Sequence, residues 1–193
     1  MNAAQSTRGN ATAPDAAVPG AAVPGAAAPG AAARIAAAWD VLAAVEDPEI
    51  PAVSVVDLGL IRFVRVNPNG RIEVGLSPTY VGCPATEVIR RSVRDALDRS
   101  AVGEFEVTNV LSPAWSSDWI SPDGRRKLHD YGIVPPDRSV SNMRDVLRAG
   151  RPVACPRCNS ADTETLSEFG STPCKALHRC RACLEPFEYF KCI

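Results

Sequence analysis

Apolar side chains recur at helical and then at strand spacing along the first half of the chain. A period near 3.6 residues over 34–46 predicts a helix with one buried face. Alternation over 60–66 and 71–76 predicts two strands, and Asn69-Gly70 between them favours a tight hairpin. These three elements begin a folded domain.

A second helix and a third strand follow. Pro84 suits the first turn of a helix over 84–100, and residues 104–111 alternate as a strand. The order helix, strand, strand, helix, strand predicts an α+β fold, in which a small mixed sheet carries helices on one face. A short helical stretch is expected near 123–131. The side chains expected on buried faces are Ile35, Ala38, Trp39, Leu42, Val45, Ile61, Phe63, Ile72, Val74, Leu76, Val88, Ile89, Val93, Ala96, Leu97, Phe105, Val107 and Leu111.

Changes in composition divide the chain into four parts. Residues 1–33 contain three five-residue units that end in Pro-Gly. Because proline and glycine at this interval stop helix propagation, we predict a disordered Ala/Pro/Gly tail. The α+β domain is expected to cover 34–136, residues 137–150 form a linker, and a zinc ribbon covers 151–193.

The charge of the chain limits its classes of partner. The 193 residues carry a net charge of about −1, and residues 151–193 hold six Lys/Arg against five Asp/Glu. A nucleic-acid-binding protein needs a basic surface to displace counterions, so we expect no nucleic acid partner. The chain has no apolar run of about eighteen residues, so we expect no membrane span and a cytoplasmic location.

Six of the seven cysteines lie between residues 155 and 192. An odd number of cysteines and two Cys-x-x-Cys pairs indicate a metal site in a reducing compartment, not disulfides. Each pair places two thiolates on one turn, and two such turns make a tetrahedral four-sulfur cage. We predict that the cage binds zinc, with a rubredoxin-like iron site as the alternative. The predicted ligands are Cys155, Cys158, Cys180 and Cys183.

Three further residues of the ribbon have alternative interpretations. Cys174 and Cys192 could be spare ligands, which would let the site hold a cluster, or small apolar fillers around the ribbon. The filler interpretation is the simpler one. His178 could replace a cysteine as a ligand, although four thiols already suffice.

Cys83 stands at the junction between a strand and the proline-started helix. A thiol at a helix N-terminus has a lowered pKa, so its thiolate could bind iron transiently. An inert, half-buried cysteine is the alternative. Asp47, Glu49 and Asp57 could line the same pocket, although turn and capping chemistry is the simpler explanation of these acids.

Particular segments of the chain resemble known families. Three segments resemble the SufT-like domain linked to iron–sulfur assembly. They are 47–51 (DPEIP), 55–61 (VVDLGLI) and 79–84 (TYVGCP). Six further segments resemble the PaaD family, which comprises accessory proteins of phenylacetic acid degradation. They are 112–115 (SPAW), 131–133 (YGI), 168–172 (EFGST), 174–177 (CKAL), 185–187 (EPF) and 189–193 (YFKCI). The resemblance extends from about residue 35 to the last residue.

This resemblance implies an accessory function. PaaD-like proteins are associated with the multicomponent oxygenase that epoxidises phenylacetyl-CoA, which has a di-iron hydroxylase and an iron–sulfur flavin reductase. The resemblance therefore implies that the chain helps these iron–sulfur or di-iron centres to mature and catalyses no reaction of its own. The implied partners are oxygenase or reductase subunits. A non-catalytic coupling subunit of the oxygenase is the alternative.

The resemblance also implies a site in the assembly domain. The family cysteine that matches Cys83 is the functional candidate, with the acids that match Asp47, Glu49 and Asp57 nearby. These residues imply transient binding of iron or of an iron–sulfur cluster. The sequence does not distinguish which partner's centre is served.

Overall fold

The computed structural model describes residues 30–80, 84–136 and 153–191. Cys83, Cys192 and the predicted linker 137–150 lie outside these residues, as does the predicted tail up to residue 29. Among the described residues, no helix combines the length and the apolar character needed to cross a membrane.

A three-stranded mixed sheet forms the first part of the fold. β1 (Ile61–Val66) pairs antiparallel with β2 (Ile72–Leu76), and β2 pairs parallel with β3 (Phe105–Asn109). Parallel neighbours require a crossover connection, which contains the helix α2 (Thr86–Asp98). The inward positions of β2, namely Ile72, Val74 and Leu76, are at most 1% exposed, as their alternation predicts.

The turn between β1 and β2 is built by asparagine and glycine. Asn67 Oδ1 accepts the amide hydrogens of Asn69 and Arg71, both at 3.0 Å. Gly70 has a φ of +76°, a left-handed conformation that glycine adopts without a steric penalty. The predicted tight hairpin is confirmed.

Two helices pack on the sheet and on each other. α1 (Ala31–Ala43) contacts β1 and α2, and α2 also contacts β3. The buried side chains are Ala38 and Leu42 on α1 and Ile89, Val93 and Leu97 on α2. The predicted α+β class, a small mixed sheet with helices on one face, is confirmed.

Phe63 does not share the buried face of Ile61. The register of β1 against β2 shifts between these two residues, and Val64 is buried instead. Phe63 pairs with Gly75, and a Cβ on that glycine would lie 2.5 Å from the Phe63 ring. Gly75 therefore makes room for the ring, and a strict alternation of side chains does not apply to β1.

Val88 and Leu111 also lie outside the core in which they were expected. Val88 is 51% exposed, because the buried stripe of α2 runs through the neighbouring Ile89. Leu111 is 61% exposed, because β3 ends at Asn109 and the alternation stops with it.

The segment after β3 closes one end of this domain. The indole Nε1 of buried Trp115 donates to the carbonyl oxygen of Leu58 at 3.0 Å. α3 (Pro122–Asp130) begins after Ser121, whose Oγ accepts the amide hydrogen of Gly124 at 2.8 Å. This hydrogen bond caps a helix that lies close to the predicted stretch 123–131.

Four strands form a second sheet. They are β4 (Ile133–Val134), β5 (Thr163–Ser167), β6 (Lys175–Cys180) and β7 (Pro186–Phe190), in the order β4-β7-β6-β5. β6 is antiparallel to both of its neighbours, whereas β4 is parallel to β7. The sheet therefore combines strands from both sides of residues 137–150.

The second sheet shares the apolar core of the first domain. Phe190 and Cys174 belong to the same buried cluster as the side chains of α1, α2 and the first sheet. The centroids of the Phe190 and Trp115 rings lie 6.0 Å apart. A smaller cluster contains Cys155, Cys180 and Phe187. The two sheets are thus joined by packing as well as by the chain.

Candidate functional site

Four cysteine thiols converge at one end of the second sheet. Cys155 and Cys158 lie on a turn before β5, Cys180 ends β6, and Cys183 lies on the turn before β7. Their Sγ atoms all lie within 4.8 Å of one another, with 3.7 Å between Cys155 and Cys183 and 3.5 Å between Cys158 and Cys180. We call these four residues the cysteine cluster.

The two turns of the cysteine cluster have the same backbone form. In each turn the residue after the second cysteine is left-handed, with a φ of 58° at Asn159 and 63° at Leu184. Arg157 lies on the first turn and Glu185 follows the second, and the two side chains form an ion pair. This shared geometry places both pairs of sulfurs in one volume.

The spacing of the sulfurs fits a tetrahedral metal ion. Sulfurs held about 2.3 Å from a tetrahedral zinc ion lie about 3.8 Å apart. The observed 3.5 and 3.7 Å are close to that separation, whereas a disulfide requires about 2.05 Å. Thiolate donors suit zinc and iron better than magnesium or calcium. The cluster therefore has the donors and the spacing of a metal site.

The mutual repulsion of thiolates in the cysteine cluster also favours a cation between them. The Cys183 amide, 3.5 Å from Cys180 Sγ, lowers the pKa of the Cys180 thiol to about 7 against the effect of burial. An amide hydrogen bond from Ser160 lowers the pKa of the Cys158 thiol, but the neighbouring sulfurs outweigh it and raise that pKa to about 12. Because thiolates repel one another, a divalent cation between them would allow all four to ionise.

A second candidate site is a small cavity between the first sheet, α2 and the second sheet, which we call the interface cavity. Its volume is about 20 Å³. Phe190, Leu58 and other apolar side chains form most of its wall. Its polar lining residues are Asp47, Glu49, Ser77, Thr79, Thr86 and Cys174.

Asp47 and Glu49 reach the interface cavity from the connection after α1. Asp47 Oδ1 accepts the amide hydrogens of Glu49 and Ile50, both at 2.9 Å, which is the turn chemistry expected of an aspartate. Burial raises the pKa of Asp47, whereas the two amides and the charge of Lys175 act in the opposite direction. Burial and the adjacent charge of Asp47 raise the pKa of Glu49.

Asp57 does not line the interface cavity, and its carboxylate is bonded to Ser54 and Lys127. Its Oδ2 accepts hydrogen bonds from the amide and hydroxyl of Ser54, both at 3.0 Å, and from Lys127 Nζ at 2.6 Å. Burial by itself would raise the pKa of Asp57, but the hydrogen bonds from Lys127 and Ser54 hold it below its usual value. The structure thus brings Asp47 and Glu49 together and places Asp57 against α3.

Cys83 lies outside the described residues, so its expected place beside these acids stays a prediction. Thr79 precedes it and Thr86 follows it in the sequence, and both line the interface cavity.

Cys174 lines the interface cavity and is not part of the cysteine cluster. It is buried, and its Sγ lies 3.1 Å from Thr172 Oγ1. His178 is also separate from the cluster, because its ring packs against Phe187 and Tyr189 with centroids 5.6 and 5.7 Å away. Burial lowers the pKa of His178, which favours a neutral ring in this packing. Cys192 lies outside the described residues.

Among the buried polar residues that the sequence pattern does not indicate, Ser77 and Lys175 bear on the interface cavity. Ser77 is 1% exposed, and its Oγ has no hydrogen-bond partner in the described part of the chain. Lys175 is 3% exposed, and its Nζ lies 2.7 Å from Glu188 Oε2. Ser77 directly follows β2 and Lys175 begins β6, and an alternation pattern carries little information at strand ends. The signal for Lys175 is its place in the segment 174–177, which resembles the PaaD family.

Two family models match different parts of the chain. Residues 35–112 match a family described as iron–sulfur cluster assembly protein, and residues 140–191 match the PaaD zinc beta ribbon domain. An Escherichia coli protein, provisionally named as one of the subunits of 1,2-phenylacetyl-CoA epoxidase, is 44% identical over 155 residues. The match covers 80% of this chain and 91% of that protein.

Two shorter matches concern the first domain. A protein named Fe-S protein maturation auxiliary factor from Porphyromonas gingivalis is 35% identical over 89 residues, 46% of this chain and 84% of that protein. A crystal structure of a domain of unknown function, DUF59, from Bacillus anthracis has a TM-score of 0.46 and 31% identity, over 51% of this chain and 93% of that chain.

Proposed function

Because the chain belongs to the PaaD family, we propose that it is a maturation factor for the iron–sulfur or di-iron centres of a phenylacetyl-CoA epoxidase system. The observation that carries the proposal is the union, in one chain, of an iron–sulfur assembly segment over 35–112 with a four-thiol module within 140–191. The Porphyromonas gingivalis relative supports the iron–sulfur role, and the Escherichia coli relative supports the link to an epoxidase.

The cysteine cluster is proposed to hold one zinc ion, with iron as the alternative occupant. When bound, the metal supplies a rigid cross-link between the two Cys-x-x-Cys turns. Apart from the cysteines, the small cluster around it has Phe187 as its buried side chain, with partly buried Val134 and Val153 beside it. So small an apolar cluster holds turns weakly, and the metal therefore provides much of the folding free energy there.

The proposed cargo is iron or an iron–sulfur cluster, which is held briefly and passed to a partner. Cys83 is the proposed sulfur donor, and Asp47 and Glu49 are proposed to supply carboxylate oxygens from the interface cavity. Asp57 is proposed to act indirectly, since its hydrogen bonds with Ser54 and Lys127 fix the turn before β1 against α3.

The partners are proposed to be the oxygenase or reductase subunits, and their metal content tests the proposal. Both would be purified from cells with and without this chain, and their iron content and activity measured. We expect less iron and less activity without the chain, and we expect the purified chain to have no oxygenase activity of its own. Partners with full metal content and full activity in its absence would refute the maturation role.

A non-catalytic coupling subunit is the second candidate, which the name of the Escherichia coli relative as a subunit favours. The two roles predict different responses of the purified oxygenase. A coupling subunit restores activity at once to a fully metallated but inactive oxygenase, in proportion to the amount added. A maturation factor restores nothing to such an enzyme and acts on an iron-deficient partner.

A further inference from the structure

The hydroxyl of Ser77 lies in the wall of the interface cavity without a hydrogen-bond partner. Ser77 is 1% exposed, and its Oγ has no partner in the described part of the chain. A buried hydroxyl is rarely left unpaired, and an ordered water or an ion commonly satisfies it. The cavity of about 20 Å³ exceeds the space of about 10–15 Å³ that one water requires, and it is too small for an organic ligand. It therefore fits a single water or a single ion.

The charges around the interface cavity favour a cation. Asp47 and Glu49 line the cavity, and the positive charge of Lys175 acts on both of them. The ammonium group of Lys175 is already paired with Glu188 at 2.7 Å. Carboxylates thus outnumber ammonium groups here, and this excess attracts a cation and repels an anion.

A sulfur atom in the lining narrows the class of cation. Cys174 lies on the turn directly before β6 and reaches the cavity beside side chains of the first domain. A thiolate together with a carboxylate selects iron(II), zinc and similar ions over magnesium and calcium. We propose that the interface cavity is a second metal site for one iron(II)-class ion, with Cys174 as the sulfur ligand, Asp47 as a carboxylate ligand and Ser77 as a supporting hydroxyl.

The incomplete ligand set suits an ion that is held for a short time. Among the described residues, the cysteine cluster alone brings three or more metal-binding side chains within 4.8 Å of one another. Asp47, Glu49 and Cys174 therefore do not all converge on one point, so an ion in the interface cavity would have few protein ligands and would be released easily. The inference rests on the proposed maturation function and adds to it that the C-terminal module supplies a ligand to the assembly domain.

Cobalt(II) binding to the full-length chain tests the site, because a cobalt–thiolate bond gives a near-ultraviolet charge-transfer absorption. The chain would first be loaded with zinc, and its zinc content measured before and after anaerobic titration with cobalt chloride. We expect a further equivalent of cobalt with thiolate absorption and no loss of zinc. To exclude the sulfur donor proposed for the cargo, the comparison is made in a Cys83→Ser background. There Cys174→Ser should remove the absorption and weaken cobalt binding at least tenfold, and Ser77→Ala should weaken it less. Ser100→Ala is the matched serine control. The half-buried hydroxyl of Ser100 donates to the Leu97 carbonyl away from the cavity, and this variant should bind cobalt as the unchanged chain does.

Three results would overturn the inference. The first is the absence of a further cobalt equivalent, which would mean that water fills the cavity. The second is cobalt binding without thiolate absorption. The third is thiolate absorption that persists in a folded protein in which Cys174→Ser or Cys174→Ala is combined with Cys83→Ser. Failure of the proposed function is separable. If the chain binds cobalt through Cys174 but does not raise the iron content of a partner, the metal site stands and the maturation role is rejected. If the chain raises partner iron but shows no cobalt–thiolate band, the maturation role stands and the metal site is rejected.

Discussion

Replacing Phe190 with alanine should destabilise the whole molecule and not only the second sheet. Phe190 lies on β7 but is 1% exposed within the core of the first domain, with its ring centroid 6.0 Å from that of Trp115. Phe190→Ala therefore removes a buried ring from the contact between the two sheets. Because both sheets pack against this ring, they should lose stability together.

The expected loss follows from burial. Truncation of a fully buried phenylalanine costs about 3–5 kcal/mol, which combines lost apolar burial with the cavity that is left. The tilted contact with Trp115 accounts for about 0.5–1.5 kcal/mol of this cost. Since small domains are stable by about 5–15 kcal/mol, the change would remove between about a fifth of the stability and all of it.

Urea denaturation of the zinc-loaded chain measures the effect, with tryptophan fluorescence reporting on the first domain and elemental analysis on the metal. Phe169→Ala is the matched control, because Phe169 belongs to the same module but is 65% exposed. The control should stay within about 0.5 kcal/mol of the unchanged chain. A Phe190→Ala protein whose fluorescence transition is shifted by less than about 1 kcal/mol would show that the two sheets do not share a core.

Three further predictions concern the candidate sites. Cys158→Ser should release the metal and unfold the second sheet, which elemental analysis and circular dichroism would show; retention of one tightly bound zinc would contradict the assigned ligands. Cys83→Ser should fail to support growth on phenylacetate in cells that lack the chain, while its zinc content stays unchanged, and normal growth would make Cys83 structural. The pKa of Asp57 is lower in the folded chain than in the unfolded chain, so its stabilisation is present at neutral pH and is lost as the pH falls through the folded value. Asp57→Asn should therefore lower the urea midpoint at pH 7 and lower it less in acid, whereas an equal loss at both pH values would exclude the ion pair with Lys127 as the cause.

Local patterns were sufficient for the regular elements of the first domain. The alternation of Ile72, Val74 and Leu76 and the helical stripe through Ile89, Val93 and Leu97 each depend on one repeated interval within one element. The Cys-x-x-Cys pairs are equally local, since each brings two sulfurs onto one turn whatever surrounds it. The resemblance to the PaaD family is also carried by short segments, and the comparisons confirm it.

Contacts between distant segments could not be predicted in this way. The displacement of Phe63 depends on Gly75 in the neighbouring strand, and the pairing of β4 with β7 depends on how the second sheet docks. Cys174 illustrates the same limit. From the sequence, Cys174 could belong to the cysteine cluster or line the interface cavity. Which of the two applies depends on how the turn before β6 packs against the first domain. The roles of Cys83 and of the nearby acids stay predictions.

The pairing of β4 with β7 has a consequence for the order in which the protein is completed on the ribosome. Synthesis reaches Ile133 well before Glu188, its partner in the sheet, so β4 emerges without the strand to which it bonds. The same late strand carries Phe190, which fills the core of the first domain and closes the interface cavity. Cys183 has already been added when β7 is made. A nascent chain therefore carries all four thiols of the cysteine cluster before Phe190 completes the interface cavity.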